Sequence, residues 1–172
     1  MSRGARGFHT RKAINSEHDP YLSKEAPKDM SICRKCRSVY HEKRWYRNDE
    51  LPEHLRSKIG GEVFCPACQK IRDKYPGGFV IIEGNFPTEH REELMRLLGN
   101  KKSRAMSINP LEQIVEVKEH EGRIEISTTT EKFAQRIGKI LTKAFNGKIE
   151  YKWTDDTKIA RIIWVREDEE AG

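Results

Sequence analysis

Two cysteine pairs carry the clearest chemistry in this chain: Cys33-Arg-Lys-Cys36 and Cys65-Pro-Ala-Cys68, with twenty-eight residues between them. A Cys-x-x-Cys spacing lets one tight turn aim two sulfurs at one point. Two such turns supply the four thiolates of a tetrahedral zinc site. Backbone N–H groups of the turns can bond the sulfurs and steady their charge. The pattern predicts one structural Zn2+ held by Cys33, Cys36, Cys65 and Cys68, with no open position for a catalytic water. A redox dithiol fits less well, because the βαβ pattern beside such sites is missing around both pairs. His41 and His54 are spare donors, but four cysteines already fill the tetrahedron.

Cations gather around these thiolates. Arg34, Lys35, Arg37, Lys43, Arg44 and Arg47 surround the first pair, with Trp45 and Tyr46 among them. Basic groups interleaved with aromatics suit phosphate contact and base stacking. They equally suit a packed tryptophan over a metal whose thiolate charge the cations soften. The N-terminal arm adds Arg3, Arg6, Arg11 and Lys12, the first two in flexible Arg-Gly steps, with no acid before residue 13. A third basic group, Lys132, Arg136, Lys139 and Lys143, recurs at spacings of four, three and four along one helix. No acid follows Glu131 within that helix, so the stripe reads either as an RNA contact or as a solvated face.

Charge is unevenly spread. Residues 31–78 carry eleven basic and six acidic groups, whereas residues 111–172 carry eleven and thirteen. The net charge of +6 is therefore concentrated beside the cysteines, which argues for a polyanionic partner.

The elements that position these residues follow from pattern. Ser38–Tyr40 reads as a short strand, Leu51–Ile59 as a short helix ended by Gly60-Gly61, and Val63-Phe64 as a strand into the second cysteine turn. Together they predict a zinc ribbon with an insertion. Tyr75-Pro76-Gly77-Gly78 marks a boundary. Beyond it come a strand at Phe79–Glu83 and a helix capped by Thr88 that runs to Leu98 and stops at Gly99. A polar connection over 100–109, holding Lys101, Lys102 and Arg104, leads to strands at Glu112–Lys118 and Arg123–Thr129 joined by a turn at Glu121-Gly122. Next come a helix at Glu131–Phe145, capped by Thr130 or Thr129 and stopped by Asn146-Gly147, and strands at Lys148–Thr154 and Lys158–Arg166. The order β-α-β-β-α-β-β matches a ferredoxin-like split βαβ unit with one added strand, either a hairpin extension or a replacement for a weak fourth strand. The expected fold is α+β: a basic arm (1–30), a four-cysteine zinc ribbon (31–76), a ferredoxin-like domain (77–166) and an acidic tail (167–172).

Several classes are excluded by composition. The chain is 35% charged and only 35% hydrophobic, so its core is small for its 172 residues. No apolar run is long enough to span a membrane, and the N-terminus lacks the apolar region of a secretory signal. A reducing cytoplasm is the expected compartment. No phosphate-binding loop, nucleophile elbow or His-Glu-x-x-His is present, so no catalytic residues are expected.

The stretch CRKCRSVYHEKRW, Cys33 to Trp45, resembles a zinc-ribbon segment of the archaeal and eukaryotic ribosomal large-subunit export adaptors, the Nmd-three family. The run EISTTTEKFAQRIGKILTKAFNGKIEYKW also resembles archaeal members. The resemblance implies a short, bacterial-type relative that associates with the ribosome or ribosomal RNA. In it Cys33, Cys36, Cys65 and Cys68 would be the zinc ligands, and Arg34 and Trp45 would be matching positions. The combined expectation is a non-enzymatic, ribosome-associated RNA-binding protein. A protein-interaction or transcription-associated zinc ribbon is the alternative, and an enzyme with an unrecognised site is the third reading.

Overall fold

The computed structural model describes residue 21, residues 26–153 and residues 159–167. Two mixed sheets organise the chain. The small sheet holds β1 (Ser31–Cys33), β2 (Val39–His41), β3 (Arg44–Tyr46) and β4 (Gly61–Val63), in the order β3-β2-β1-β4. β1 pairs antiparallel with β2 and parallel with β4, so the strands leading into the two cysteine turns run side by side. Met30, Ile32, Val39 and Leu51 form its apolar centre. Met30 is buried there, so the lobe begins before residue 31. The β2–β3 hairpin turns through Glu42 and Lys43, both at positive φ (46° and 65°), the double left-handed geometry of a two-residue turn whose twist matches the strands.

The helix expected over Leu51–Ile59 is shorter. A 3-10 turn, Asn48–Glu50, precedes α1 (Glu53–Arg56), with Pro52 at its N-cap. Proline is compatible with a helix start but not with an interior, and it divides the two pieces. A helix not anticipated from sequence, α2 (Pro66–Asp73), starts inside the second cysteine pair, with Pro66 in its first turn.

The large sheet holds β5 (Gly78–Glu83), β6 (Ile114–His120), β7 (Arg123–Thr128), β8 (Lys148–Trp153) and β9 (Ala160–Val165), in the order β6-β7-β5-β9-β8. A ferredoxin-like sheet would be antiparallel, with the fourth strand beside the first. Here the last strand takes that place and pairs parallel with β5, and β8 is displaced to the edge. Side-chain chemistry accounts for the swap. β9 buries Ala160, Ile162 and Trp164 on one face and half-buries Ile163 and Val165, beside Arg161, on the other, which suits an interior strand covered on both faces. β8 exposes Lys148, Glu150 and Lys152 on one face, which suits an edge strand.

Two helices share one core with the sheet. α5 (Glu131–Phe145) buries Phe133, Ala134, Ile137, Gly138 and Leu141, and Thr130 caps it by accepting the Phe133 N–H at 3.1 Å. The other helical layer is longer than expected. Thr88 is not a cap but lies within α3 (Phe86–Glu89), and α4 runs from Arg91 to Ile108 straight through Gly99. Leu94, Leu98 and Ala105 keep one buried face over that length. Their burial outweighs the ~1 kcal/mol helical cost of one glycine. Lys101, Lys102 and Arg104 therefore stand on a helix and not on a loop.

Two helical glycines yield opposite expectations. A Cβ on Gly99 meets nothing within 4 Å, whereas one on Gly138 would lie 2.7 Å from Ile149 Cδ1 and 2.8 Å from Ile162 Cγ2. Gly99→Ala should stabilise by about 0.5–1 kcal/mol. Gly138→Ala should destabilise by about 1–2 kcal/mol despite the same propensity gain, because the core is overpacked. Urea midpoints of the two variants check both signs.

Candidate metal centre

Cys33 ends β1, and Cys36 follows the turn through Arg34 and Lys35. Two backbone bonds fix that turn: the Arg37 N–H donates to the Cys33 carbonyl at 3.1 Å, and the Arg34 N–H to the Val63 carbonyl at 2.8 Å. Arg37 leaves it at φ 64°. Across the sheet, Cys65 is the N-cap of α2 and its sulfur accepts the Cys68 N–H at 3.3 Å. The Cys65 N–H in turn donates to the Cys33 sulfur at 3.3 Å. The helix N-terminus adds a favourable field for negative charge on Cys65 and Cys68.

The four sulfurs lie within 4.8 Å of one another. Tetrahedral thiolate coordination at ~2.3 Å places sulfurs about 3.8 Å apart, and the Cys36 and Cys65 sulfurs are 3.7 Å apart. That separation is far beyond a disulfide bond, and all four cysteines are free. Cys33, Cys65 and Cys68 are buried, and Ala67, Trp45, Phe64 and Leu111 pack around them. The donor set, its spacing and its N–H···S bonds fit a metal ion that favours sulfur in a tetrahedral site. His41 turns instead to Asp29, with Nδ1 3.2 Å from the carboxylate, and His54 is exposed on α1; neither joins the sulfur cluster.

Four thiols this close cannot all ionise without a cation. The neighbouring sulfurs of Cys36, Cys65 and Cys68 hold the Cys33 thiol far below its ordinary range. Cys36 is drawn down to about 6; Cys33 pushes it upward, and Cys65, Cys68 and the Ser38 hydroxyl outweigh that push. Cys65 and Cys68 are held protonated, each chiefly by Cys33. A bound cation would remove the conflict and displace those protons.

The predicted cations divide into three groups. Arg3, Arg6, Arg11 and Lys12 lie outside the described residues. Arg34, Arg47 and Arg136 are engaged with acids: Arg34 with Glu62 at 3.2 Å, Arg47 with Asp49 at 2.6 Å, and Arg136 with Glu112 through both guanidinium nitrogens. Lys35, Arg37, Lys43 and Arg44 are exposed around the first cysteine pair, and no carboxylate among the described residues pairs with them. Lys132, Lys139 and Lys143 are likewise exposed on α5. Arg136 thus leaves the α5 stripe, because its partner comes from another element and not from its own helix. Trp45 is half-buried, packs on the cysteine cluster and meets Tyr40 with ring centroids 5.3 Å apart, so its principal contact is cover for the sulfurs.

Sequence reasoning missed the junction that ties this lobe to the large sheet. Lys70 on α2 is buried, and its Nζ donates to the Thr129 carbonyl at 3.1 Å. The Thr129 hydroxyl accepts the Gln113 N–H at 2.9 Å and donates to the Leu111 carbonyl at 2.5 Å. Leu111, from the same segment, packs on the cysteines. A Ser-Thr-Thr-Thr run offers no local sign of such a role.

Neither a family model, a curated protein nor a solved structure matches this chain.

Two expectations follow from this geometry. Glu112 is 2% exposed, so Arg136→Ala strands a buried carboxylate. It should cost roughly 2–4 kcal/mol, somewhat below a fully buried pair because the guanidinium is partly solvated; Lys139→Ala should stay within about 0.5 kcal/mol in the same denaturation assay. In metal-depleted protein, iodoacetamide should label Cys36 first, since it alone of the four is partly exposed and is largely thiolate above about 6. Its labelling should fall as pH drops through that value, and a bound metal should suppress it. Peptide mass mapping reads both effects.

Proposed function

We propose that the cysteine cluster holds one structural Zn2+, that the small lobe is a zinc ribbon with an insertion, and that this non-enzymatic protein binds structured RNA through the lobe. One observation carries the reading. Lys35 and Arg37 in the first cysteine turn, and Lys43 and Arg44 at the neighbouring hairpin, are exposed on one small rigid lobe without acidic partners among the described residues. Nearby arginines of the same lobe are neutralised locally by Glu62 and Asp49. Cations left unpaired where acids are available nearby suit a surface that meets phosphates. A four-thiolate zinc centre carries net negative charge, so these cations also moderate the centre they surround. The large sheet follows a split βαβ plan altered by the central insertion of β9, and it acts as the platform behind the lobe.

Ribosomal RNA is the proposed partner, in line with the resemblance of Cys33–Trp45 to the large-subunit export adaptors, and the cytoplasm is the proposed compartment. No helix among the described residues is long and apolar enough to cross a membrane. A protein-interaction or transcription-associated ribbon is the competing reading, and no specific feature of the geometry favours it.

Elemental analysis of purified protein should return one zinc per chain, lost in Cys65→Ser. Purified protein should bind ribosomal RNA at low salt, with affinity falling steeply as salt rises. The double variant Lys43→Glu/Arg44→Glu should weaken binding at least tenfold. The charge-matched Lys118→Glu/Lys152→Glu variant, on the edge strands of the large sheet, should bind nearly as the unmodified chain does. Absence of binding at low salt, or equal loss in both variants, overturns the reading.

A further inference from the structure

A groove of about 380 Å³ lies where the first cysteine turn faces α4. This is within the size range of small-ligand clefts. Cys36, Arg37, Ser38 and Arg47 come from the cysteine lobe, and Ser103 and Met106 from α4. The groove is therefore shared between the two parts of the fold. Arg47 bridges it, with one nitrogen 3.5 Å from the Ser107 hydroxyl and the other on Asp49. Arg37 is exposed and has no carboxylate partner among the described residues.

The helical wall extends the positive field. Lys102 is exposed and stands one turn before Met106, on the same face of α4. From residue 94 to the end of α4 the chain carries Arg96, Lys101, Lys102 and Arg104 and no acid. The sequence pattern placed three of these cations on a loop. In the helix they spread around its surface, and Lys102, next to Ser103 and one turn from Met106, is the one that stands beside the groove.

We propose that this groove is where an unpaired stretch of the structured RNA is gripped, with one phosphodiester held between Arg37 and Lys102 and the adjoining nucleotide seated against Met106. The inference rests on the RNA reading above and adds where on the surface the strand is held. Cys36 is the one cysteine that lines the groove, and a thiolate there repels an anion, so the phosphate belongs beside Arg37 and Lys102. Ser38 and Ser103 supply neutral hydroxyls beside it, and the Met106 thioether is a soft, apolar surface for a base. The Asp49 carboxylate accepts hydrogen bonds, so it suits a sugar hydroxyl or a base amino group and disfavours a second phosphate. A cationic rim beside an acceptor and an apolar wall fits a nucleotide unit of a strand better than a bare anion.

The test uses the full chain with a fluorescent uridine oligonucleotide, read by anisotropy. Ser103 is exposed on α4, so Ser103→Trp fills the groove without touching the core, and zinc content with thermal unfolding checks that the variant is folded. Ser103→Trp and Lys102→Ala should each weaken oligonucleotide binding, the former at least tenfold. Thr88→Trp, an exposed change on α3, should leave it unchanged. Uridine monophosphate and inorganic phosphate should compete only weakly, since each satisfies part of the groove. If folded Ser103→Trp binds like the unmodified chain while Lys43→Glu/Arg44→Glu still abolishes binding, the RNA reading stands and the groove assignment falls. If the unmodified chain binds ribosomal RNA but not the oligonucleotide, the groove assignment alone falls; if it binds neither, both fall. If the monophosphate binds as tightly as the oligonucleotide, the groove is a free-nucleotide site and the proposal is overturned.

Discussion

The convergence of four cysteine sulfurs within 4.8 Å is the constraint on which the rest of the molecule depends. Sulfurs at that separation repel one another once ionised, and only a cation among them lets all four lose their protons. The small lobe has little else to hold it. Its apolar centre is Met30, Ile32, Val39 and Leu51, too few to offset the chain entropy of some forty residues at about 1–2 kcal/mol each. Its strands are three residues long. The sulfur cluster thus carries the tertiary order of the lobe, and with it the positions of every cation displayed on its surface.

That order is transmitted to the large sheet by a short polar chain. α2 begins at the cysteines and ends past Lys70, whose ammonium group reaches the Thr129 carbonyl. Thr129 sits where β7 gives way to α5, and it also anchors the segment that brings Leu111 back onto the cysteines. Beside it, Glu112 holds Arg136 on α5. Metal lobe, sheet and helix therefore meet at a few buried polar groups, each with a partner. Such a joint is directional where an apolar contact could slide.

Much of this was legible in the sequence wherever the signal is local. The clustering of the four cysteines followed from two Cys-x-x-Cys spacings. The helix Glu131–Phe145 followed from its apolar period, a threonine cap and the Asn146-Gly147 stop, both of which sit at positive φ. What escaped was decided at a distance. Gly99 looks like a helix end, but burial of Leu98 and Ala105 on either side carries the helix through it. Pro66 next to a cysteine looked like part of a turn, although proline equally opens a helix. The interior place of β9 depends on comparing its two covered faces with the single covered face of β8. Arg136 reads as a solvated cation because its acid lies twenty-four residues away, in the connection before β6.

The placement of β9 also sets an order of events. Among the described strands Ala160–Val165 is the last to be synthesised, yet it takes an interior place in the large sheet, between β5 and β8. Until those residues emerge from the ribosome, β5 has a bare edge on one side and β8 has no strand to pair with. The strands and the four cysteines of the small lobe all lie before Asp73, so the sulfurs can be brought together while the sheet is still open. The nascent chain thus carries its cationic head well before its body is complete, and Leu111 and Thr129 close over that head only as the sheet is made.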